Sequence, residues 1–159
     1  MSKKKFNSSS FYYPFSHEFW WSKAVQELTR KELNLLYCFI GEFRYDKYLK
    51  KWSRNGQISF TEYEWVEKKL GSKNTYLKGR NKLIKVGILK IEYRGGWHKG
   101  DMNRYKLLVP SRDVLIEEQR WRRYPHENWE DEIPQEKKSQ VGKKSRFKKS
   151  QNTPLKKVV

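Results

Sequence analysis

Apolar residues recur at helical spacing in a short stretch near the middle of the chain. They stand at positions i, i+3 and i+7, which predicts one stripe made of Tyr63, Val66 and Leu70. Thr61 followed by Glu64 has the spacing of a capping box, in which a hydroxyl and a carboxylate satisfy free backbone N–H groups at a helix start. A first helix is therefore expected to begin directly after Thr61.

A second helix is predicted over residues 73–86. Gly71 suits the left-handed position past the end of the first helix, and Ser72 can cap the second, which Gly87 then ends. At about 100° per residue, its apolar arc contains Tyr76, Leu77, Leu83 and Ile84. Arg80 falls within this arc, so we expect a structural residue that pairs with a carboxylate or a carbonyl. A Gly-containing turn between two short helices is typical of a helix-turn-helix.

Strand-like alternation follows the two helices. Residues 88–94 and 104–109 alternate apolar and polar side chains, and the loop between them, 95–103, contains three glycines. Residues 58–59 could add a short first strand. A helix-turn-helix followed by a β-hairpin is the sequence shape of a winged helix. The expected fold class is therefore α+β: a winged helix-turn-helix of three to four helices plus a β-hairpin wing.

The flanking segments complete this organisation. Thr29 and Glu32 have capping-box spacing, and residues 33–43 are apolar nearly all round, which predicts a buried central helix. A shorter helix is expected over residues 17–28. The expected parts are an aromatic and basic arm (1–16), the winged-helix domain (17–110), an amphipathic helix (111–125), and an acidic linker with a disordered basic tail (126–159).

The polar arc of the second helix carries cations and no acid. Its members are Asn74, Lys78, Asn81, Lys82 and Lys85, with Thr75 at the edge. A helix that is merely soluble usually mixes charges, because opposite charges at i and i+4 stabilise it. Cations on one face repel each other by a few tenths of a kcal/mol per pair unless phosphate neutralises them. The arc therefore favours nucleic-acid binding over a solvated surface.

Residues near the start of a recognition helix meet base edges. Asn74 can pair bidentately with adenine, and the methyl group of Thr75 can touch thymine. The alternative is that both residues only cap the helix start. The remaining contacts on this helix, to phosphate or guanine, are expected from Ser72, Lys73, Lys78, Asn81, Lys82 and Lys85.

The Gly-rich loop supplies the second group of candidate contacts. As a wing, it would lay Lys99 along phosphates together with Arg94 or Arg104, with His98 beside them. Trp97 would lie against a sugar or a base, or else fold back onto the helices as a lid over the core. The sequence leaves both roles of Trp97 open.

Charge and composition narrow the class of protein. Lys and Arg number 36 against 18 acids, a formal net charge of +18 over 159 residues, which predicts a polyanionic partner, either nucleic acid or an anionic membrane surface. Residues 30–106 hold 19 basic and 8 acidic side chains, so the charge belongs to the predicted domain as well as to the tail. No stretch approaches the ~18 apolar residues of a membrane span. Cys38 is the single cysteine, so we expect no disulfide and a cytoplasmic, nucleoid-associated protein.

The two ends differ from the middle. From residue 137 onward there are nine basic residues and no acid, which predicts a disordered arm held on phosphate. Residues 126–136 carry five acids, and this patch could screen the tail or the second helix in the absence of a ligand. Residues 11–21 contain seven aromatics, which could fill a groove between helices or stack on single-stranded nucleic acid.

The residues offer no catalytic arrangement. The three histidines, His17, His98 and His126, are far apart and lack companions at metal-ligand spacing. No Cys pair, phosphate-binding Gly loop or Ser nucleophile motif is present in the sequence. We therefore expect a binding protein without a cofactor and without enzymatic activity.

Residues 22–109 resemble the winged-helix DNA-binding proteins of phages, plasmids and other mobile elements, of replication-initiator or regulator type. The likeness lies in the phrase NTYLKGRNKLIKVGILKI, in the Gly-rich loop and in NRYKLL that follows it. It implies a DNA-binding protein, with double-stranded DNA as the partner and no membrane association. The sequence leaves open whether the protein forms a homodimer, because residues 111–125 could equally form a dimerisation helix.

Two alternatives remain at this point. One is an RNA- or ribosome-binding protein, since winged helices also serve there. The other is a mobile-element protein that inhibits a host nucleoprotein complex through protein–protein contact.

Overall fold

The computed structural model describes residues 16–46, 51–53, 55–96, 101–111 and 114–135. In this part of the chain the fold is α+β, as the sequence predicts, with five α-helices and two antiparallel two-stranded hairpins. Two consecutive helices followed by the second hairpin occur in the chain order of a winged helix, so the fold is compatible with that class. The predicted tail and the first 15 residues lie outside the described residues.

The chain enters the fold through two one-turn helices, α1 (His17–Trp20) and α2 (Lys23–Gln26). The prediction of one helix over 17–28 is wrong, because Ser22 interrupts it. The Ser22 backbone is extended, and its hydroxyl caps α2 by accepting from the Val25 N–H. The break lets Phe19, Ala24 and Val25 all reach the core.

Helix α3 (Arg30–Gly41) begins at the predicted capping box of Thr29 and Glu32, which is confirmed. It buries one face, made of Leu35, Leu36, Phe39 and Ile40. Tyr37 is 49% exposed, so the expectation of a helix buried all round holds for one face only. The chain then forms a hairpin of β1 (Arg44–Asp46) and β2 (Lys51–Ser53), with Tyr45 opposite Trp52.

Helix α4 (Glu62–Glu67) begins at the capping box of Thr61 and Glu64, also confirmed. The predicted apolar stripe is wrong, because Tyr63 is 74% and Val66 47% exposed, whereas Trp65 is buried. The helix is only six residues long, so its last turn ends before the i+7 position of the expected stripe. One large side chain, Trp65, therefore carries most of the packing of α4.

The turn after α4 places Lys69 in the left-handed region, with φ of 56°. The Lys69 N–H donates to the Val66 carbonyl at 2.9 Å and the Leu70 N–H to the Trp65 carbonyl at 3.2 Å, a Schellman motif. The left-handed position predicted for Gly71 is therefore wrong. Gly71 instead gives room to Trp65, since a Cβ there would lie 2.9 Å from Trp65 Nε1.

Helix α5 (Lys73–Lys85) runs from the Ser72 cap, close to the predicted bounds. It also ends in a Schellman motif, with Gly87 at φ of 76°, as predicted. Its buried residues are Tyr76, Gly79, Arg80, Leu83 and Ile84, and the helix packs chiefly against α3 and α4 and less against the second hairpin. The opposite, polar arc is thereby turned outward.

The second hairpin pairs β3 (Leu89–Tyr93) with β4 (Arg104–Leu107), with a register shift between Ile91 and Tyr93. Of the strand expected at 58–59, one bridge forms, between Ile58 and Tyr105. Asn55 clamps the end of β4 by donating to the Leu107 carbonyl at 3.0 Å and accepting from the Leu107 N–H at 2.8 Å. The hairpin is thus held to the loop that precedes α4.

The helix predicted over residues 111–125 is wrong. The described part of this segment contains two 3-10 turns, Ile116–Glu118 and Arg120–Arg122. The backbone is extended at Leu115 and leaves the helical region at Gln119, which separates the turns. This irregular path lets Val114, Gln119 and Trp121 all be buried, although their spacing does not fit one helical face. A third turn, Glu130–Glu132, returns to α5.

Within the described residues, no helix is long and apolar enough to cross a membrane.

Candidate nucleic-acid interface

The first half of α5 presents an exposed polar surface. Ser72, Lys73, Asn74 and Lys78 are exposed and Thr75 is half-buried. Asn74 and Lys78 make no side-chain hydrogen bond or ion pair with any other described residue. We call this group, residues 72–75 and 78, the exposed half of α5. These five predicted contact residues are therefore accessible, with Asn74 and Lys78 on the polar arc and Lys73 outside it.

Local capping occupies part of this surface. The Ser72 hydroxyl accepts from the Thr75 N–H at 3.2 Å and lies 3.0 Å from the Thr75 hydroxyl. Ser72 and Thr75 thus satisfy each other, as the capping alternative for Thr75 required. Asn74 takes no part in this capping, so its amide is free to reach a ligand.

One cation of the exposed half already has an acidic partner. Lys73 Nζ lies 2.5 Å from Glu62 Oε1 of α4, and both side chains are well exposed. Ion pairs in water contribute about 0–1 kcal/mol, so a phosphate group can replace Glu62 at little cost. Lys73 therefore remains available to an anionic partner.

Lys82, in the second half of α5, is half-buried and contacts residues of the same protein. Its Nζ lies 3.0 Å from Glu27 Oε2 and 5.8 Å from the ring centroid of Tyr124. The Tyr124 hydroxyl donates to the same carboxylate at 2.6 Å. Together these contacts lower the pKa of Glu27, chiefly through the hydrogen bond from Tyr124 and then through that from Lys82. Although burial by itself would lower the pKa of Lys82, the Glu27 contact raises it overall.

Residues 129–135, which we call the strap, cover the end of α5. Lys85 Nζ lies 2.9 Å from Glu130 Oε2, and the Trp129 N–H donates to the Lys85 carbonyl at 3.3 Å. A cleft of about 630 Å³ separates the strap from α5, and its α5 side is lined by Asn81, Lys82 and Lys85. The strap therefore faces three of the contact residues predicted from the sequence.

Arg80 is only 6% exposed and donates through Nε and Nη2 to Asn81 Oδ1, at 3.2 and 3.0 Å. The expectation that Arg80 is a buried structural residue paired with a carbonyl is confirmed. The same contact occupies the side-chain oxygen of Asn81. The side-chain oxygen of Asn81 is thus already hydrogen-bonded to Arg80, and only its NH2 group remains for a ligand.

The base of the predicted wing contributes two exposed cations, Arg94 and Arg104. The Arg104 guanidinium lies 5.4 Å from the Tyr93 ring centroid, and Arg94 Nη2 donates to the Glu132 carbonyl of the strap at 3.4 Å. Asp101 accepts from the Gly96 N–H and from the Tyr93 hydroxyl. The hydrogen bond between Tyr93 and Asp101 raises the pKa of Tyr93. The predicted contacts Trp97, His98 and Lys99 lie outside the described residues.

The acidic partners Glu27 and Glu130 and the ring of Tyr124 did not follow from the helix pattern. They reach α5 from 55, 45 and 42 positions away in the sequence, which no local periodicity reports. The five acids of residues 126–136 were the one available signal, and they left open whether the tail or the second helix is screened.

No protein-family model, curated protein or solved structure matches this chain significantly. Among the described residues, no group of three or more His, Cys, Asp or Glu side chains is arranged to hold a metal ion.

Proposed function

We propose that this protein binds double-stranded DNA, and that α3, α4, α5 and the β3–β4 hairpin act together as a winged helix-turn-helix. The observation that carries the proposal is the exposed half of α5. Asn74 and Lys78 are exposed there and have no side-chain partner among the described residues, while the opposite arc of the helix is packed into the core. A helix that is one-sided in this way, directly after a short helix and a tight turn, has the form of a recognition helix.

The charge distribution supports a polyanionic partner. The chain carries a formal net charge of +18, and residues 30–106 alone carry 19 basic and 8 acidic side chains. Each phosphate that a cation neutralises releases counterions, which drives association and makes it sensitive to salt. The proposed association is therefore electrostatic in origin and is directed by α5.

In the proposed complex the start of α5 enters the major groove. Asn74 reads a base edge, since an amide can pair bidentately with adenine. Lys73 and Lys78 lie along phosphates, and Arg94 and Arg104 bring the base of the wing to the adjacent backbone. The proposal includes no catalytic step and no cofactor.

The test is a comparison of single lysine variants in their affinity for a fluorescent duplex of mixed sequence. Lys78→Ala removes an exposed α5 cation and should weaken binding and reduce the salt slope by roughly one. Lys23→Ala is the matched control, because it removes an exposed lysine of α2 and leaves α5 intact. Equal affinities of the two variants would contradict the role of α5.

A structured RNA of similar length, titrated against the bound duplex near physiological salt, tests the class of nucleic acid. The proposal predicts that the duplex is retained. Displacement by equimolar RNA would instead assign the protein to RNA.

A second candidate is supported by the outer face of α4, where Tyr63 and Val66 are exposed one turn apart. Large apolar side chains that share an exposed face are frequent in protein-binding surfaces. This function would be engagement of a protein partner, such as a component of a host nucleoprotein complex. Co-purification of a host protein that survives nuclease treatment and is lost in Tyr63→Ser would favour it.

A further inference from the structure

We propose that the strap, residues 129–135, is an autoinhibitory segment whose carboxylates occupy the place of DNA phosphates on the second half of α5. The inference rests on the proposed function, since it concerns the same helix. It states that the free protein exposes only the first half of α5, and that DNA must displace the strap to reach the second half.

The strap lies beside the polar arc of α5. At about 100° per residue, Asn81, Lys82 and Lys85 fall on the same polar arc as Asn74 and Lys78. The strap lies beside this arc, because the open cleft that these three residues line is also lined by Glu130, Asp131, Ile133, Pro134 and Gln135. A duplex laid along the full arc would therefore meet the strap.

The strap carries carboxylates into the cleft beside α5. Glu130 accepts from Lys85 at 2.9 Å, and the exposed Asp131 lines the same cleft without an ion-pair partner among the described residues. Anionic oxygens that face α5 lysines make the contacts that phosphate oxygens would make. Glu130 thus neutralises Lys85, one cation of an arc whose lysines repel each other.

The strap is attached to the domain mainly through Trp129. Trp129 packs directly on Gly87, where a Cβ would lie 2.6 Å from the Trp129 ring, and the guanidinium groups of Arg120 and Arg123 lie 5.3 and 5.7 Å from that ring. Arg120 also pairs with Glu132 at 2.7 Å. These contacts hold the strap mainly to elements other than the polar arc of α5.

The contacts between the strap and the polar arc are fewer than those that anchor Trp129, and they are more exposed to solvent. The Lys85–Glu130 pair leaves 37% and 60% of the two side chains exposed, and such pairs are easily exchanged and screened by salt. Glu130 and Asp131 can therefore leave α5 while Trp129 stays near Gly87. The arrangement suits a segment that is displaced without unfolding the domain.

The experiment neutralises the two carboxylates that face the cleft without changing their shape. Glu130→Gln with Asp131→Asn should raise affinity for a mixed-sequence duplex by at least about fivefold, the lower end of typical coupling between sites. The matched control is Glu117→Gln with Glu127→Gln, which removes two exposed acids that pair with no α5 side chain. It should change affinity much less.

Hydrogen exchange distinguishes displacement of the strap from a general gain in positive charge. The Ile133 N–H, which donates to the Glu130 carbonyl at 3.1 Å within the strap, should exchange faster in the wild-type protein when duplex is bound. Unchanged exchange, or equal affinity gains in both double variants, would overturn the strap proposal. If Lys78→Ala still weakened binding in that case, the proposed function would stand. If neither the wild type nor the strap variant bound duplex, both proposals would fall.

Discussion

Gly79 of α5 lies so close to Leu35 of α3 that a Cβ at position 79 would be 2.9 Å from Leu35 Cδ2. The absence of a side chain at Gly79 lets the two helices approach at this point. Because the close approach fixes the buried side of α5, it also fixes which arc is turned outward, and with it Asn74 and Lys78.

Gly79→Ala should lower the free energy of unfolding by about 1 kcal/mol. Alanine gains up to ~1 kcal/mol in helix propensity, but crowding a packed core costs about 1–3 kcal/mol. Leu35 is 1% exposed and has little room to turn away. Urea unfolding followed by circular dichroism measures the change.

The same substitution at Gly41 serves as the control for this prediction. A Cβ at Gly41, the last residue of α3, would meet nothing within 4 Å. Gly41→Ala should therefore leave stability unchanged or raise it. A stabilised Gly79→Ala variant would show that contact with Leu35 does not set the approach of α3 to α5.

Lys69→Gly should stabilise the protein by roughly 1 kcal/mol, because a residue with a Cβ costs about 1–2 kcal/mol in the left-handed region. Lys69 is the only described non-glycine residue with positive φ, and the other Schellman motif already has Gly87 at this position. Thermal unfolding is a suitable measurement. Lys68→Gly, at the preceding residue with φ of −73°, is the control and should not stabilise. A loss of stability in Lys69→Gly would contradict the conformation of this turn.

Glu27 should make part of the stability of the fold dependent on pH. Its pKa is lowered in the folded protein by the Tyr124 hydroxyl and by Lys82. A lowered folded-state pKa contributes stability that is complete above the ordinary Glu value of about 4.3 and is lost as pH falls through the folded-state value. The contribution should be a few tenths of a kcal/mol, since the Glu27 side chain is 42% exposed.

The measurement compares unfolding of the wild-type protein and Glu27→Gln across pH. The wild type should be the more stable at pH 7, and the difference should shrink toward about pH 3. Glu117→Gln removes an exposed acid that forms no ion pair with another described residue, and it controls for net charge. A difference between wild type and Glu27→Gln that grows on acidification would contradict the predicted sign.

Asn74→Ala should relax sequence preference while leaving overall duplex affinity within about 1–3 kcal/mol of the wild type, the range of one bidentate base contact. Selection from a random duplex pool with the two proteins measures this. The wild type should enrich a motif that contains adenine at one position, and the variant should lose that position alone. Identical motifs from the two proteins would remove Asn74 from base reading.

Local chemistry made the starts and ends of the helices predictable. The Thr61–Glu64 capping box and the Gly87 helix end each depend on a few neighbouring residues, so the sequence reports them directly. The buried side of α4 was not predictable in this way. Six residues are too few for a periodic stripe, and Trp65 faces the core because its single large ring fills the space that Gly71 leaves open.

The candidate site was predictable in its first half and not in its second. Asn74 and Lys78 are exposed as the helical arc requires, because nothing described packs on them. Lys82 and Lys85 fall on the same arc, yet they meet Glu27 and Glu130, which come from distant segments. Helical periodicity predicts which residues of one helix share a face, and it does not predict which distant segments pack on that face.

Covalent capture of DNA at the start of α5 tests the central claim most directly. A photoreactive phenylalanine analogue in place of Asn74 should give a covalent protein–duplex adduct on irradiation. The same analogue in place of the exposed Glu117 should give little or none. An adduct from position 74 alone is the predicted result. No adduct from position 74 under conditions where the protein is bound to duplex would contradict binding through the exposed half of α5.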